Sequence, residues 1–136
     1  MRLLLDTHCW LWISGRPERF SSSVRGLLED PGTELLVSAV VTLEIAIKHR
    51  LGKLPLPAPP AVFVAERIRR HRAASLPIDH AHAARVGELP LHHRDPFDRL
   101  LVAQAQVDGV SLLTVDPLLE PYDIDLIWAD RELPGG

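Results

Sequence analysis

An α/β sandwich with a mostly parallel sheet is the fold class that this sequence predicts, and two features of its patterning predict it. Short apolar runs of strand length, such as RLLL, LLVS and SLLTV, alternate with longer stretches whose apolar residues recur at helical spacing. The resulting order of strand, helix, strand, helices, strand, helix and strand joins parallel neighbours through crossover helices. At 136 residues, 46% of them hydrophobic, the chain can bury one sizeable core and is too short for two comfortable ones. One domain over residues 1–136 is expected.

Each element follows from local signals. Arg2 to Leu5 reads as a first buried strand, followed by a helix through Trp10 and Trp12 that Gly15 and Pro17 stop. Ser21 to Ser23 offer caps for a helix through Leu28, and Asp30-Pro31-Gly32 is a turn. Leu35 to Ser38 is the next strand. It passes directly into a helix from about Val40 to Arg50, with Gly52 beyond its end. The proline-rich LPLPAPPA, Leu54 to Ala61, is expected to lie extended on the surface. Ala61 to Ala73 suits an amphipathic helix with its arginines clustered late. Leu76 to Ile78 reads as a short strand and Ala81 to Val86 as a small helix. Pro96 to about Val107 is a helix ended by Gly109, Val110 to Val115 is a strand, and Ile124 to Trp128 is a last one.

Composition excludes several classes. No apolar run approaches the roughly 18 residues of a membrane span, and Asp6 interrupts MRLLL before it could form a signal-peptide core, so a cytoplasmic protein is expected. Cys9 is the sole cysteine and lies in an apolar stretch, which favours packing over redox chemistry. A net charge of −3 argues against coating nucleic acid by bulk electrostatics, although Lys48-His49-Arg50 and Arg67 to Arg72 form local basic patches. His80, His82, His92 and His93 lack a cysteine or third histidine at zinc-like spacing and read as exposed polar residues. Trp10, Trp12 and Trp128 read as core or dimer contacts.

The most informative feature is the placing of isolated acids beside apolar runs. Asp6 follows the first strand and Asp116 follows the strand ending near Val115, so both should stand at the carboxyl edge of the sheet, where ligands gather in such folds. Glu44 falls on the stripe Val40, Leu43, Ile47 and Leu51, which turns it inward, and Asp98 sits in the first turn of its helix. Buried carboxylates need a positive partner, and a metal ion is the obvious candidate. Every acid also has a structural reading. Asp6 and Asp95 can cap helices, Asp98 can favour a helix dipole, and Asp116 before Pro117 can belong to a turn. Glu44 can pair with Lys48 in a surface interaction worth about 0.2–0.5 kcal/mol, which would not account for an inward position.

The runs LLLDTHCWLW, VSAVVTLEIAIKHRLGKL, DPFDRLLVAQA and LLTVDPLL together resemble the PIN-domain nucleases, in particular the VapC-like toxins of toxin–antitoxin pairs. The resemblance implies a three-layer α/β/α sandwich in which Asp6, Glu44, Asp98 and Asp116 bind Mg²⁺ or Mn²⁺ and cut RNA. It adds Asp95 as a further acid that either touches the metal or only caps its helix, and Thr114 in a supporting role. It also implies a homodimer or higher assembly and a cognate antitoxin lying across the acidic groove. His92, His93 and Arg94, just before the helix of Asp98, are candidates for meeting RNA phosphates.

The chemistry is consistent with the residue types. Small hard dications prefer oxygen ligands, and phosphodiester hydrolysis needs positive charge at the non-bridging and leaving oxygens. Without metal, crowded carboxylates should repel one another and raise their pKa values. Two other readings compete. A phosphatase with Asp6 as nucleophile is disfavoured, because His8 stands where the haloacid-dehalogenase pattern has a second Asp. A catalytically inactive RNA- or protein-binding module would have no reason to keep Glu44 on an apolar stripe.

Overall fold

In the computed structural model, which describes residues 1–135, the sheet strands are β1 (Arg2–Leu5), β2 (Glu34–Ser38), β3 (Ala74–Leu76), β4 (Ser111–Thr114) and β5 (Leu126–Trp128). The helices are α1 (Thr7–Gly15), α2 (Ser22–Glu29), α3 (Ala39–Arg50), α4 (Pro60–Arg70), α5 (His80–Val86) and α6 (Pro96–Asp108). Short 3₁₀ turns at Pro17–Arg19 and Pro117–Leu119 complete the set.

The sheet order is β3-β2-β1-β4-β5, and every pairing is parallel. Leu4 at the centre pairs with Leu36 on one side and Leu112 on the other. Leu3, Leu4, Leu5, Leu112 and Leu113 are fully buried. A strand whose successive side chains are all buried must be covered on both faces, and the fold is accordingly a three-layer α/β/α sandwich. The chain winds from β1 outward to β2 and β3, then returns to place β4 against the other side of β1. The order therefore reverses between β1 and β4, which opens a crevice at their carboxyl ends.

Side-chain caps fix the starts of α1, α2, α3 and α6. Asp6 accepts from the Cys9 amide, Ser21 from Val24, Ser38 from Val40 and Asp95 from Phe97. Pro96 occupies the first position of α6, and Gly109, at φ 64°, closes that helix in the left-handed conformation that glycine adopts without strain.

Three expectations are corrected. Leu43, Ile47 and Leu51 are 48%, 40% and 62% exposed, so the inner face of α3 is Val40, Val41, Glu44 and Ile45. The helix carries two apolar stripes, and the core takes the one containing Val41 and Ile45. The strand expected at Leu76 to Ile78 is instead Ala74–Leu76, paired with Leu36 to Ser38. Pro77 has no N–H to continue the ladder. His82 is not an exposed residue: its Nδ1 accepts from the Asp79 amide in a capping box at the start of α5, and its Nε2 contacts Asp108 at 2.9 Å, which ties α5 to α6. The other small shifts lie at element ends, where α4 stops before Arg72 at φ 53°.

Cys9 is fully buried, and burial, reinforced by the nearby Asp6 charge, raises its thiol pKa well above the ordinary value. Trp10 is core, whereas Trp12 and Trp128 are half-buried with Arg19 and Arg131 over their rings. Among the described residues, no helix is long and apolar enough to cross a membrane.

Candidate active site

The crevice at the carboxyl ends of β1 and β4 gathers acids from separate elements. Asp6 leaves β1 and starts α1, so its direction is set by the strand that precedes it and the helix that follows. It is 4% exposed, and both of its oxygens are engaged: Oδ1 accepts the Cys9 amide at 2.8 Å and Oδ2 accepts the Thr114 hydroxyl at 2.6 Å. Thr114 ends β4, the neighbouring strand. Its Oγ1 also accepts the Asp116 amide at 3.1 Å, so one hydroxyl ties two acids of the crevice together.

Glu44 enters from α3 and is 5% exposed. Its Oε1 accepts the Thr7 hydroxyl at 2.8 Å and its Oε2 accepts Lys48 Nζ at 2.5 Å. The pairing with Lys48 weighed from the sequence is thus real, but it ends on a buried carboxylate rather than on the surface. The bond to Glu44 is the main reason that the Lys48 pKa is raised.

Asp98 projects from the first turn of α6. Its pKa is raised from 3.8 to about 7, first by burial and then by the charges of Asp95, Glu44 and Asp6, with His93 acting in the opposite sense. The expected mutual repulsion is therefore expressed at Asp98. Asp95 caps α6 through Oδ1, at 2.8 Å from the Phe97 amide and 3.4 Å from that of Asp98. Asp116 caps the following 3₁₀ turn through Oδ1, 3.0 Å from the Leu118 amide.

Asp6, Glu44, Asp95, Asp98 and Asp116 line one cavity of about 270 Å³ together with Thr7, His8, Lys48 and Val115. All five acids singled out from the sequence are brought together, and Thr114 stands directly behind them. The three residues preceding α6 separate. His92 and Arg94 are exposed, with the His92 ring edge-on to Tyr122 at 5.0 Å. His93 turns inward instead, its side chain 11% exposed, with Nε2 at 2.7 Å from Asp116 Oδ2 and 3.2 Å from Asp98 Oδ2. It is not the exposed polar residue that the sequence suggested.

Sequence reasoning passed over Thr7, Arg99 and Tyr122. Thr7 adjoins Asp6 and needed only the packing of α1 against α3 to reach Glu44. The Arg99 guanidinium donates to the carbonyls of Val86, Leu89, Pro90 and His93 and to the Tyr122 hydroxyl, at 2.9–3.4 Å. That hydroxyl in turn accepts the His92 and His93 amides. The loop carrying His93 is fixed by these bonds, and no local pattern announces them.

An acidic crevice at a parallel-sheet switch point is compatible with several folds, and comparison with known proteins decides among them. The family model described as PIN domain matches residues 3–125. This chain belongs to the PIN domain family. Over 121 residues, 88% of the chain, it is 31% identical to ribonuclease VapC22 of Mycobacterium tuberculosis, 91% of which is covered. Over 63 residues, 46% of the chain, it is 44% identical to ribonuclease VapC16 of the same organism, a match spanning 45% of that protein. The PIN fold itself is matched by the crystal structure of VapBC2 from Rickettsia felis bound to a DNA fragment from their promoter. The TM-score is 0.70 at 15% identity, covering 93% of this chain and 98% of that one. In this PIN domain the four acids stand just after β1, within α3, in the first turn of α6 and two residues past the end of β4, each from a different part of the chain.

Proposed function

We propose that this protein is a metal-dependent endoribonuclease, the toxin of a toxin–antitoxin pair, hydrolysing RNA phosphodiester bonds at the Asp6, Glu44, Asp98 and Asp116 site. The observation that carries the reading is the convergence of those four carboxylates, drawn from four elements, on one cavity. The names of the relatives, both VapC ribonucleases, support RNA as substrate, and the VapBC structure supports an antitoxin partner.

The donor set fits Mg²⁺ or Mn²⁺. It is made of hard carboxylate oxygens, and the Asp98 pKa, raised first by burial and then by neighbouring carboxylates, marks a charged form that a cation would stabilise. Asp6 and Asp98 would be the main ligands, with Glu44 and Asp116 orienting waters or holding a second ion. Asp95 serves first as the cap of α6. When bound, the metal supplies positive charge to the phosphate and acidity to water.

The protein's own contributions are distinct from that. Thr114 and the Cys9 amide hold Asp6 rigid, and Thr7 with Lys48 holds Glu44, so the carboxylates are preorganised. One of the carboxylates takes the proton of the attacking water. Lys48, on the cavity wall, can face a non-bridging phosphate oxygen, and the exposed His92 and Arg94, either side of His93 in the chain, are the candidates for meeting RNA backbone. A cytoplasmic homodimer, or a larger assembly with the antitoxin across the groove, completes the reading, with residues 1–136 acting as one domain.

The test is direct. Millimolar Mn²⁺ should raise the melting temperature of the wild type, and Asp6→Asn or Asp98→Asn should lose that rise together with RNA cleavage and growth arrest on expression. Wild-type cleavage in both variants would reject the nuclease assignment.

A further inference from the structure

The His93 imidazole is placed between two acids of the site, and its tautomer is set by a bond on its far side. Nδ1 accepts the Asp95 backbone N–H at 3.0 Å, which requires an unprotonated nitrogen there. The proton of the neutral ring is therefore on Nε2, the atom 2.7 Å from Asp116 and 3.2 Å from Asp98. An Nε2 carrying a proton cannot be a metal ligand. His93, Asp98 and Asp116 offer ligand atoms within 4.8 Å of one another, yet the imidazole member of that trio is a donor aimed at the other two.

From this geometry we infer that His93 is a built-in occupant of the metal position, a positioning residue that holds Asp98 and Asp116 together without metal and competes with the dication for them. The inference rests on the metal reading of the site proposed above. Both oxygens of Asp116 are engaged in this state, Oδ1 by the Leu118 amide and Oδ2 by His93. Nε2 stands between Asp98 Oδ2 and Asp116 Oδ2, so a cation bridging those two oxygens would need the place the ring holds and must displace it. The loop backbone stays in place while this happens, because Arg99 and Tyr122 hold the main chain at Pro90, His92 and His93. Displacement is thus a rotation of the His93 side chain. The site trades one donor for a cation at the same oxygens, which keeps the metal-free carboxylates from springing apart and lowers metal affinity.

The test is Mn²⁺ binding measured by calorimetry on the wild type, His93→Ala and His93→Gln. A hydrogen bond to a charged acceptor that must be broken on binding weakens affinity by about tenfold or more, so His93→Ala should bind Mn²⁺ about tenfold more tightly. His93→Gln, which can still present an amide N–H, should fall between. Without metal His93→Ala should melt lower than the wild type, and the stabilisation by Mn²⁺ should be larger. In the wild type, the Nε2–H resonance of His93, observed by ¹⁵N-edited NMR, should shift or vanish as diamagnetic Mg²⁺ is added.

The alternatives read out separately. Equal or weaker Mn²⁺ binding by His93→Ala, with the wild type binding normally, would overturn the competition and leave the metal site standing. An Nε2–H signal unmoved by saturating Mg²⁺ would do the same. Absence of Mn²⁺ binding in the wild type and all variants would instead sink the metal reading and the inference with it.

Discussion

Thr114 and Asp6 are separated by 108 residues and meet at 2.6 Å, the hydroxyl of one strand end donating to the carboxylate of its neighbour. The contact follows from the parallel pairing of β1 and β4, in register from Leu3 with Ser111 to Leu5 with Leu113. Each strand delivers its next polar residue to the same crevice.

Thr114→Val should therefore act on stability as well as on activity. It removes a donor from a carboxylate that is 4% exposed, and a loss of about 2–3 kcal/mol in urea unfolding is expected. Thr114→Ser keeps the oxygen and should recover most of that loss. Saturating Mn²⁺ should narrow the gap, since a cation takes over part of the lost donor's role.

Glu44 and Lys48 should show strong coupling. Lys48→Met leaves Glu44 buried with Thr7 as its side-chain donor, and a destabilisation of about 1–3 kcal/mol is expected. Adding Glu44→Gln removes the stranded charge and should restore much of the stability. A double-mutant cycle measures this, and purely additive effects would show that the pair is merely a surface contact.

Asp98 sets a pH dependence whose sign is definite. Its folded pKa of about 7 lies above the ordinary 3.8, so between these values the folded protein holds a proton that the unfolded chain has lost. The corresponding stability is fully present below about pH 4 and is lost as pH rises through about 7. Melting temperatures taken in chelator should carry this downward contribution, and Asp98→Asn should remove it. Mn²⁺ binding should release protons at about pH 6 and fewer at about pH 8, measurable by calorimetry in buffers of different ionisation enthalpy.

Arg99 should prove indispensable to the loop before α6. Arg99→Met abandons four carbonyls and the Tyr122 hydroxyl, and a loss of about 2–4 kcal/mol is expected, with faster proteolysis between residues 87 and 94. Arg99→Lys should rescue little, because an ammonium has no planar fork to spread over those acceptors.

How much of this was legible in the sequence depended on the range of the causes. Asp6 and Asp116 could be placed at one edge because a residue leaving a parallel strand has few directions open to it. Asp95 could be read as a cap because its partners, Phe97 and Asp98, are two and three residues away. Glu44 was rightly turned inward, but for a stripe that proved to face solvent. Two apolar stripes on α3 are equivalent until the neighbouring helices and the core bury one, and the choice belongs to packing.

The sequence alone determined the order of strands and helices, the caps, and the acids stationed at the strand ends, since hydrophobic period and local hydrogen bonding act within a few residues. Tertiary structure decided that Thr114 would reach Asp6, that His82 would be buried on Asp108, and that His93 would turn between Asp98 and Asp116. The bonds to Asp6, Asp108 and Asp116 join residues 23 to 108 apart, brought near only when the sheet closes, and hydrogen bonds between distant segments leave no periodic trace in the chain.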